Sequence, residues 1–96
     1  MKTLDCSLMQ SKGDFWNEYI KVVDVEGASH FGKNLDAFWD ALSAGGPGFP
    51  KGISELKLLN SSSLKTIDEG EFYSALVTIA DDLRSCIYSD FVLHVE

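Results

Sequence analysis

Cysteine and histidine are scarce in this sequence, and those present lack the spacing of a metal site. The 96 residues include two of each. Cys6 and Cys86 stand far apart with no CxxC pattern, and His30 and His94 lack a ligand pattern such as HExxH. The sequence therefore predicts no metal ion and no cofactor. We expect the cysteines to be buried or half-buried thiols in a reducing compartment, with a disulfide between them as the less favoured alternative.

Long apolar runs are also missing, and we do not expect the opening residues to form a leader peptide. The opening residues, MKTLDCSLMQ, alternate apolar with polar side chains and lack the apolar core and small-residue cleavage site of a signal peptide. No apolar run approaches the length that crosses a bilayer. These absences predict a cytoplasmic protein, and the length of 96 residues predicts a single domain over 1–96.

Basic residues are few in comparison with acidic ones. Eight lysines and arginines stand against 15 aspartates and glutamates, for a formal net charge of −7. Binding to nucleic acid needs a surface rich in Lys and Arg, so this balance argues against a nucleic-acid partner. It suits a basic protein partner, or it serves solubility alone.

The pattern of apolar residues predicts three strands. Apolar and polar residues alternate in TLDCSLM near the start, and apolar residues dominate DFVLHVE at the end. Between them, ISELKLLN fits a buried strand better than the start of a helix. Strands separated by helices favour parallel pairing, because a parallel connection needs a long crossover.

Helical periodicity marks three segments between these strands. The first, DFWNEYIKVVDV, has Asp14 as a plausible N-cap, and the second begins after Asn34, which is also a plausible N-cap. The third and longest is DEGEFYSALVTIADDLRSC, whose acidic first turns complement the helix dipole.

Two connecting segments complete the predicted order of elements. NSSSLKTID fits a turn or one short helical turn. The loop AGGPGFPKG stops the second helix, and its glycines and prolines predict an exposed and mobile segment. The order predicts an α/β fold in which a three-stranded parallel sheet is packed with three to four helices.

Two aspartates lie one turn apart in the second predicted helix. Asp36 and Asp40 flank the apolar stripe that Leu35 and Trp39 help to form, and like charges at this spacing repel by about 0.2–0.5 kcal/mol. Three interpretations are open: a solvated helix face, a pair of catalytic carboxylates, or an anionic patch that receives Arg or Lys from a partner. The catalytic interpretation is weak, because both acids stand on one exposed helix and no pattern indicates a substrate cleft.

The segment around these aspartates, FGKNLDAFWDALS, is similar to the signature helix of barstar-like proteins, the intracellular inhibitors of secreted ribonucleases. That signature reads aromatic-Gly-x-Asn-Leu-Asp-Ala-hydrophobic-Trp-Asp-x-Leu, and this chain matches it without a gap. The layout of the family, a three-stranded parallel sheet packed with helices, agrees with the predicted order of elements. In barstar-like proteins this helix and the loop before it plug the nuclease active site.

The resemblance implies a role for each matching residue. Asp40 would be the main anchor, the carboxylate that takes the place of a phosphate among the enzyme's basic residues, and Asp36 would be the second anion. Gly32 would let the backbone approach the enzyme closely. Trp39 would mainly hold the helix to the core. The implied partner-binding residues are His30, Phe31, Gly32, Asn34, Leu35, Asp36, Trp39, Asp40, Ser43 and Asp81.

Four features depart from the pattern of the family, and one of them is that the loop AGGPGFPKG lacks the tryptophan expected there. His30 stands where a second loop aromatic is common, and Lys33 stands where an acidic residue is frequent. The acidic contact on the late helix has two candidates, Asp81 and Asp82, either of which could fill it. These departures bear on the identity of the partner more than on the mode of binding.

The sequence and the resemblance together predict a non-enzymatic, monomeric inhibitor of a basic ribonuclease, acting as an immunity protein or antitoxin. The alternative is an acidic interaction module or regulatory adaptor with a non-nuclease partner, which Lys33 and His30 would favour. A third class, an acid–base hydrolase that uses Asp36 and Asp40, is the least favoured. Neither nucleic acid nor a membrane is expected as a partner.

Overall fold

A three-stranded parallel sheet forms the centre of the computed structural model, which describes residues 2–96. Its strands are β1 (Lys2–Asp5), β2 (Glu55–Leu59) and β3 (Val92–Val95), with β2 in the middle. The helices are α1 (Lys12–Val22), α2 (Leu35–Ala44) and α3 (Glu71–Arg84). A short 3-10 turn at Ala28–His30 precedes α2, and a 3-10 segment at Ser61–Gly70 precedes α3. The predicted α/β class and parallel sheet are confirmed.

The sheet is held together by leucines that face the core. Leu4 of β1 lies opposite Leu58, and Leu93 of β3 lies opposite Leu56. All four side chains are fully buried. β1 is shorter than the alternation in TLDCSLM predicts, because the chain turns after Cys6, whose N–H donates to the carbonyl of Leu59 at 2.9 Å.

The N-cap of helix α1 lies three residues before the predicted one. The cap is Ser11, whose Oγ accepts a hydrogen bond from the N–H of Asp14 at 3.2 Å, while the carboxylate of Asp14 accepts from the N–H of Gln10 at 2.9 Å. Ser11 thus caps the helix, while the carboxylate of Asp14 holds the residue that precedes the cap. The prediction of Asp14 as N-cap is therefore wrong, since Asp14 lies within the first turn.

The long third helix packs on the sheet through a regular apolar face. Phe72, Leu76, Ile79 and Leu83 are buried, as their helical spacing predicts. The segment NSSSLKTID forms most of Ser61–Gly70, in which 3-10 structure is interrupted by a kink where Ile67, Asp68 and Glu69 have non-helical backbone angles. This stretch ends at Gly70, whose φ of +90° suits glycine, and α3 starts at the next residue.

The loop after α2 is held against α1 and the segment that follows it. The N–H of Gly48 donates to the carbonyl of Glu26 at 2.6 Å, and Val25 forms an antiparallel bridge with Pro50. Gly48 and Pro50 are buried, so the prediction of an exposed loop is wrong at its centre. Gly48 has a φ of +98°, and a Cβ there would lie 2.5 Å from the ring of Phe31.

The two cysteines are free thiols, as predicted. Cys6 is buried and Cys86 is half-buried. Burial raises the pKa of the Cys6 thiol to about 12, with a smaller contribution from the neighbouring charge of Asp5. Among residues 2–96, no helix is long and apolar enough to cross a membrane.

Candidate functional site

The loop that leads into α2 ends in a well-formed helix cap. Asn34 has an extended backbone, and its Oδ1 accepts a hydrogen bond from the N–H of Ala37 at 2.8 Å. Its side-chain amide donates to the carbonyl of Gly32 at 3.2 Å. Asn34 therefore satisfies one free N–H of the helix and also fixes the loop before it, which confirms the predicted N-cap.

Gly32 and Lys33, the two residues that precede this cap, each have an unusual backbone or steric requirement. Lys33 has a φ of +53°, a left-handed conformation that is rare for a residue with a side chain. At Gly32, a Cβ would lie 3.1 Å from Nδ2 of Asn34 and 3.2 Å from Cβ of Ala37. Gly32 is exposed, so its backbone is open to close approach by a partner.

Asp36 and Asp40 project from the outer face of α2. Both side chains are exposed, whereas Phe38, Ala41 and Leu42 on the other face are fully buried. Within residues 2–96, neither carboxylate lies within ion-pair distance of a lysine, arginine or histidine. The two anions are thus held by a rigid helix and are not neutralised within the chain.

A shallow groove runs between α2 and α3 beside these aspartates. Leu35, Asp36 and Trp39 line it from α2, and Asp82 is its acidic residue from α3. Asp81 has a different surrounding, since its Oδ1 accepts from Nη1 of Arg84 at 2.9 Å and both side chains are exposed. The structure thus brings Asp82 into the groove with Asp36, and it pairs Asp81 with a cation on its own helix.

Two of the predicted contact residues are buried. Phe31 is only 6% exposed and packs edge-on against Trp16, with 5.8 Å between ring centroids. Ser43 is 8% exposed, and its Oγ donates to the carbonyl of Trp39 at 2.6 Å. His30 is exposed, with Nδ1 3.2 Å from Oγ of Ser29. Phe31 and Ser43 therefore face the interior of the domain beneath the candidate surface.

The site is an open helix face. Asp36 and Asp40 are exposed on one helix, and their surroundings contain no buried acid, base or nucleophile pair. Within residues 2–96, no group of three or more His, Cys, Asp or Glu side chains is placed to hold a metal ion. Such a face is suited to receiving the cationic side chains of another protein.

Comparison with protein families places the chain in a known family. A family model described as barstar (barnase inhibitor) matches residues 1–94. The chain belongs to the barstar family. A search of curated proteins finds no match. Members of the barstar family are inhibitors and not enzymes, and membership implies an inhibitor-like role toward a protein partner such as a ribonuclease.

For this barstar-family protein, the helical spacing of α3 could have separated Asp82 from Asp81. The residues of α3 that line the groove are Ala75, Thr78, Ile79 and Asp82, which recur at the spacing of one helix face. Asp81 falls outside that series. This spacing can be seen in the sequence, but it identifies Asp82 only once it is known that this face of α3 lies against α2.

Proposed function

We propose that this barstar-family protein binds a basic ribonuclease and blocks its active site with the outer face of α2. It acts in the cytoplasm as an immunity protein or antitoxin, as a monomer and without catalysis of its own. The single observation that carries this proposal is the exposure of Asp36 and Asp40 on a rigid helix, with no cation of residues 2–96 within ion-pair distance.

The proposed mechanism is replacement of a substrate phosphate by a carboxylate. A ribonuclease binds the phosphates of RNA through basic side chains, and a carboxylate can form the same charge-assisted hydrogen bonds with them. Asp40 takes this central position and Asp36 binds a second cation of the enzyme. In the free protein the two carboxylates repel each other. In the complex each is removed from water and is attracted to a cation of the enzyme.

The helix cap makes the binding face rigid before the partner arrives. Asn34 bonds to both Ala37 and Gly32, so the loop and the first turn of α2 share one fixed geometry. A surface that is already ordered loses less conformational entropy on binding, which raises affinity. The left-handed backbone of Lys33 is part of the same arrangement, because it redirects the chain immediately before the cap.

We assign each predicted residue to the contact surface, or to the interior beneath it, by how much of its side chain is exposed. Asp36 and Asp40 form the centre of the contact surface. Around them lie exposed residues of the loop before α2, His30, Gly32 and Asn34, and the half-buried groove residues Leu35 and Trp39. Phe31 and Ser43 support the surface from inside, because little of either side chain is exposed. Asp82 supplies the acidic contact from α3 in preference to Asp81, whose carboxylate is occupied by Arg84.

An inhibition assay tests the proposal. Hydrolysis of RNA is measured as the protein is titrated into barnase and into any ribonuclease encoded beside its own gene. We expect activity of at least one enzyme to fall to zero at a one-to-one ratio, with slower association at higher salt. Full activity of both enzymes at a tenfold excess of the protein would contradict it. A pull-down that instead captures an unrelated protein would favour the adaptor alternative.

A further inference from the structure

Two large apolar side chains stand almost fully in solvent between α3 and β3. Ile87 is 86% exposed and Tyr88 is 85% exposed. Single exposed apolar residues are common on protein surfaces, but adjacent ones that continue a larger surface indicate a place of contact. Tyrosine is also among the residues most enriched at the centres of protein interfaces.

The segment that carries these side chains is fixed to the C-terminal end of α2. The Oγ of Ser89 donates to the carbonyl of Leu42 at 2.6 Å and accepts from the N–H of Phe91 at 3.2 Å. Phe91 is buried, and on the other side the N–H of Cys86 donates to the carbonyl of Leu83 at 3.2 Å. Ile87 and Tyr88 therefore extend from a tied segment, and their position relative to α2 is set by the fold.

The surface around Ile87 and Tyr88 is continuous with the groove beside Asp36. They border a hollow of about 350 Å³ whose other lining residues include Trp39 and Asp82. Trp39 and Asp82 also line the groove between α2 and α3. Tyr88 borders a further hollow at the C-terminal end of α2, so one surface runs from Asp36 past Trp39 to the far side of the Tyr88 ring.

The charges along this surface are all of one sign. Asp36, Asp82 and Asp90 line its three hollows, and no lysine or arginine of residues 2–96 does so. A second copy of this acidic chain would bring like charges together here, since the net charge is −7. A basic protein is the occupant that the charge pattern favours.

We propose that Ile87 and Tyr88 form an apolar anchor for the same basic ribonuclease that α2 binds, and this inference rests on the proposed function. The enzyme contacts the face of Asp36 and Asp40 with its cationic site, and an apolar part of its surface next to that site covers Ile87 and Tyr88. The anchor adds buried apolar area at one side of the charged contacts and keeps water away from them.

The test measures dissociation constants by calorimetry for the ribonuclease that the wild-type protein inhibits. We expect Tyr88→Ala to weaken binding at least tenfold and Ile87→Ala at least threefold. Leu8→Ala is the matched control, because Leu8 is 89% exposed and lies in the segment between β1 and α1. We expect it to leave binding unchanged. Thermal unfolding of all three variants should match the wild type, since none of these side chains is packed.

Three outcomes separate this inference from the proposed function. Loss of affinity in Tyr88→Ala with no change in Leu8→Ala supports the inference. If Asp40→Ala loses affinity while Tyr88→Ala and Ile87→Ala bind within twofold of the wild type, the anchor is overturned and the proposed function stands. If the wild-type protein inhibits neither barnase nor the neighbouring ribonuclease, the proposed function fails and the anchor fails with it.

Discussion

The hydroxyl of Tyr19 in α1 donates a hydrogen bond to the backbone carbonyl of Gly48 at 2.8 Å, in the interior of the domain. Burial raises the pKa of Tyr19, so the hydroxyl keeps its proton and remains a donor. This bond ties the loop after α2 to the first helix. It connects the glycine-rich segment to the aromatic core.

Replacing Tyr19 with Phe should lower the free energy of unfolding by about 1–3 kcal/mol, because the buried carbonyl of Gly48 loses its donor. Urea unfolding followed by circular dichroism measures the change. Tyr73→Phe serves as the control, since its ring is half-buried and Lys65 still lies over the ring in the variant. Equal stability of the two variants would show that the Tyr19 hydroxyl does not hold the loop.

The cap of α2 gives a second prediction. Asn34→Ala removes the acceptor for the N–H of Ala37 and should cost about 0.5–2 kcal/mol of stability. It should also weaken ribonuclease binding, because the first turn that carries Asp36 loses its fixed geometry. Asn34→Asp preserves the capping oxygen but loses the donor to the carbonyl of Gly32, so it should restore stability and only part of the binding. Failure of Asn34→Asp to restore stability would contradict the capping role.

Lys33 lies beside the proposed anionic contact and gives a prediction about rate. Lys33→Glu should speed association with the ribonuclease severalfold at low salt, because it replaces a repulsive charge near the basic partner with an attractive one. The gain should disappear at high salt, where surface charges are screened. Stopped-flow fluorescence measures the association rate.

The control for this rate effect is Lys21→Glu, which changes the net charge equally. Lys21 is exposed on α1 and lines a different hollow, beside Asp14 and Glu18. It should change the association rate much less than Lys33→Glu. Equal rates for the two variants would mean that total charge, and not the position of Lys33, governs encounter.

The buried thiol of Cys6 predicts a pH dependence of stability. Its pKa rises from 9.0 to about 12 in the folded protein, because burial disfavours the thiolate. Between these pH values the unfolded chain loses the proton while the folded chain retains it, so the free energy of unfolding falls as pH rises. Cys6→Ala should make this fall shallower. Urea titrations at pH 8, 9 and 10 measure the slope, and identical slopes would contradict the assignment.

Much of the fold follows from local patterns in the sequence. The bounds of α2 and its cap at Asn34 are set by residues close together in the chain, and the residues of β2 alternate between buried leucines and half-buried positions. The prediction of Asp14 as the cap of α1 was wrong because Ser11 and Asp14 are both residue types that cap helices, and only the bond from the N–H of Asp14 to Oγ of Ser11 shows which one does. Local residue types therefore limit which residues can cap a helix, but they do not always identify the one that does.

The features of the site and its surroundings that the sequence left open depend on contacts between distant parts of the chain. Nothing near Gly48 in the sequence indicates that Tyr19 holds it, since 29 residues separate them. In the sequence Phe31 resembles a loop aromatic, whereas in the structure its ring packs against the rings of Trp16 and Tyr19. The preference for Asp82 over Asp81 likewise depends on how α3 packs against α2.

The most direct test of the account is the affinity of Asp40→Ala for the inhibited ribonuclease. Loss of one partner of a desolvated charge pair costs about 2–5 kcal/mol of binding free energy, and the barnase–barstar pair is among the cases behind this range. Asp24→Ala is the control, because it removes the same charge from an exposed site beyond the end of α1.

We predict that Asp40→Ala raises the dissociation constant by at least about thirtyfold. Its free energy of unfolding should stay within about 0.5 kcal/mol of the wild type, as expected for an exposed residue. Asp24→Ala should bind as the wild type does. Unchanged affinity of Asp40→Ala, or its failure to fold, would contradict the claim that Asp40 is the anchor of the inhibitor.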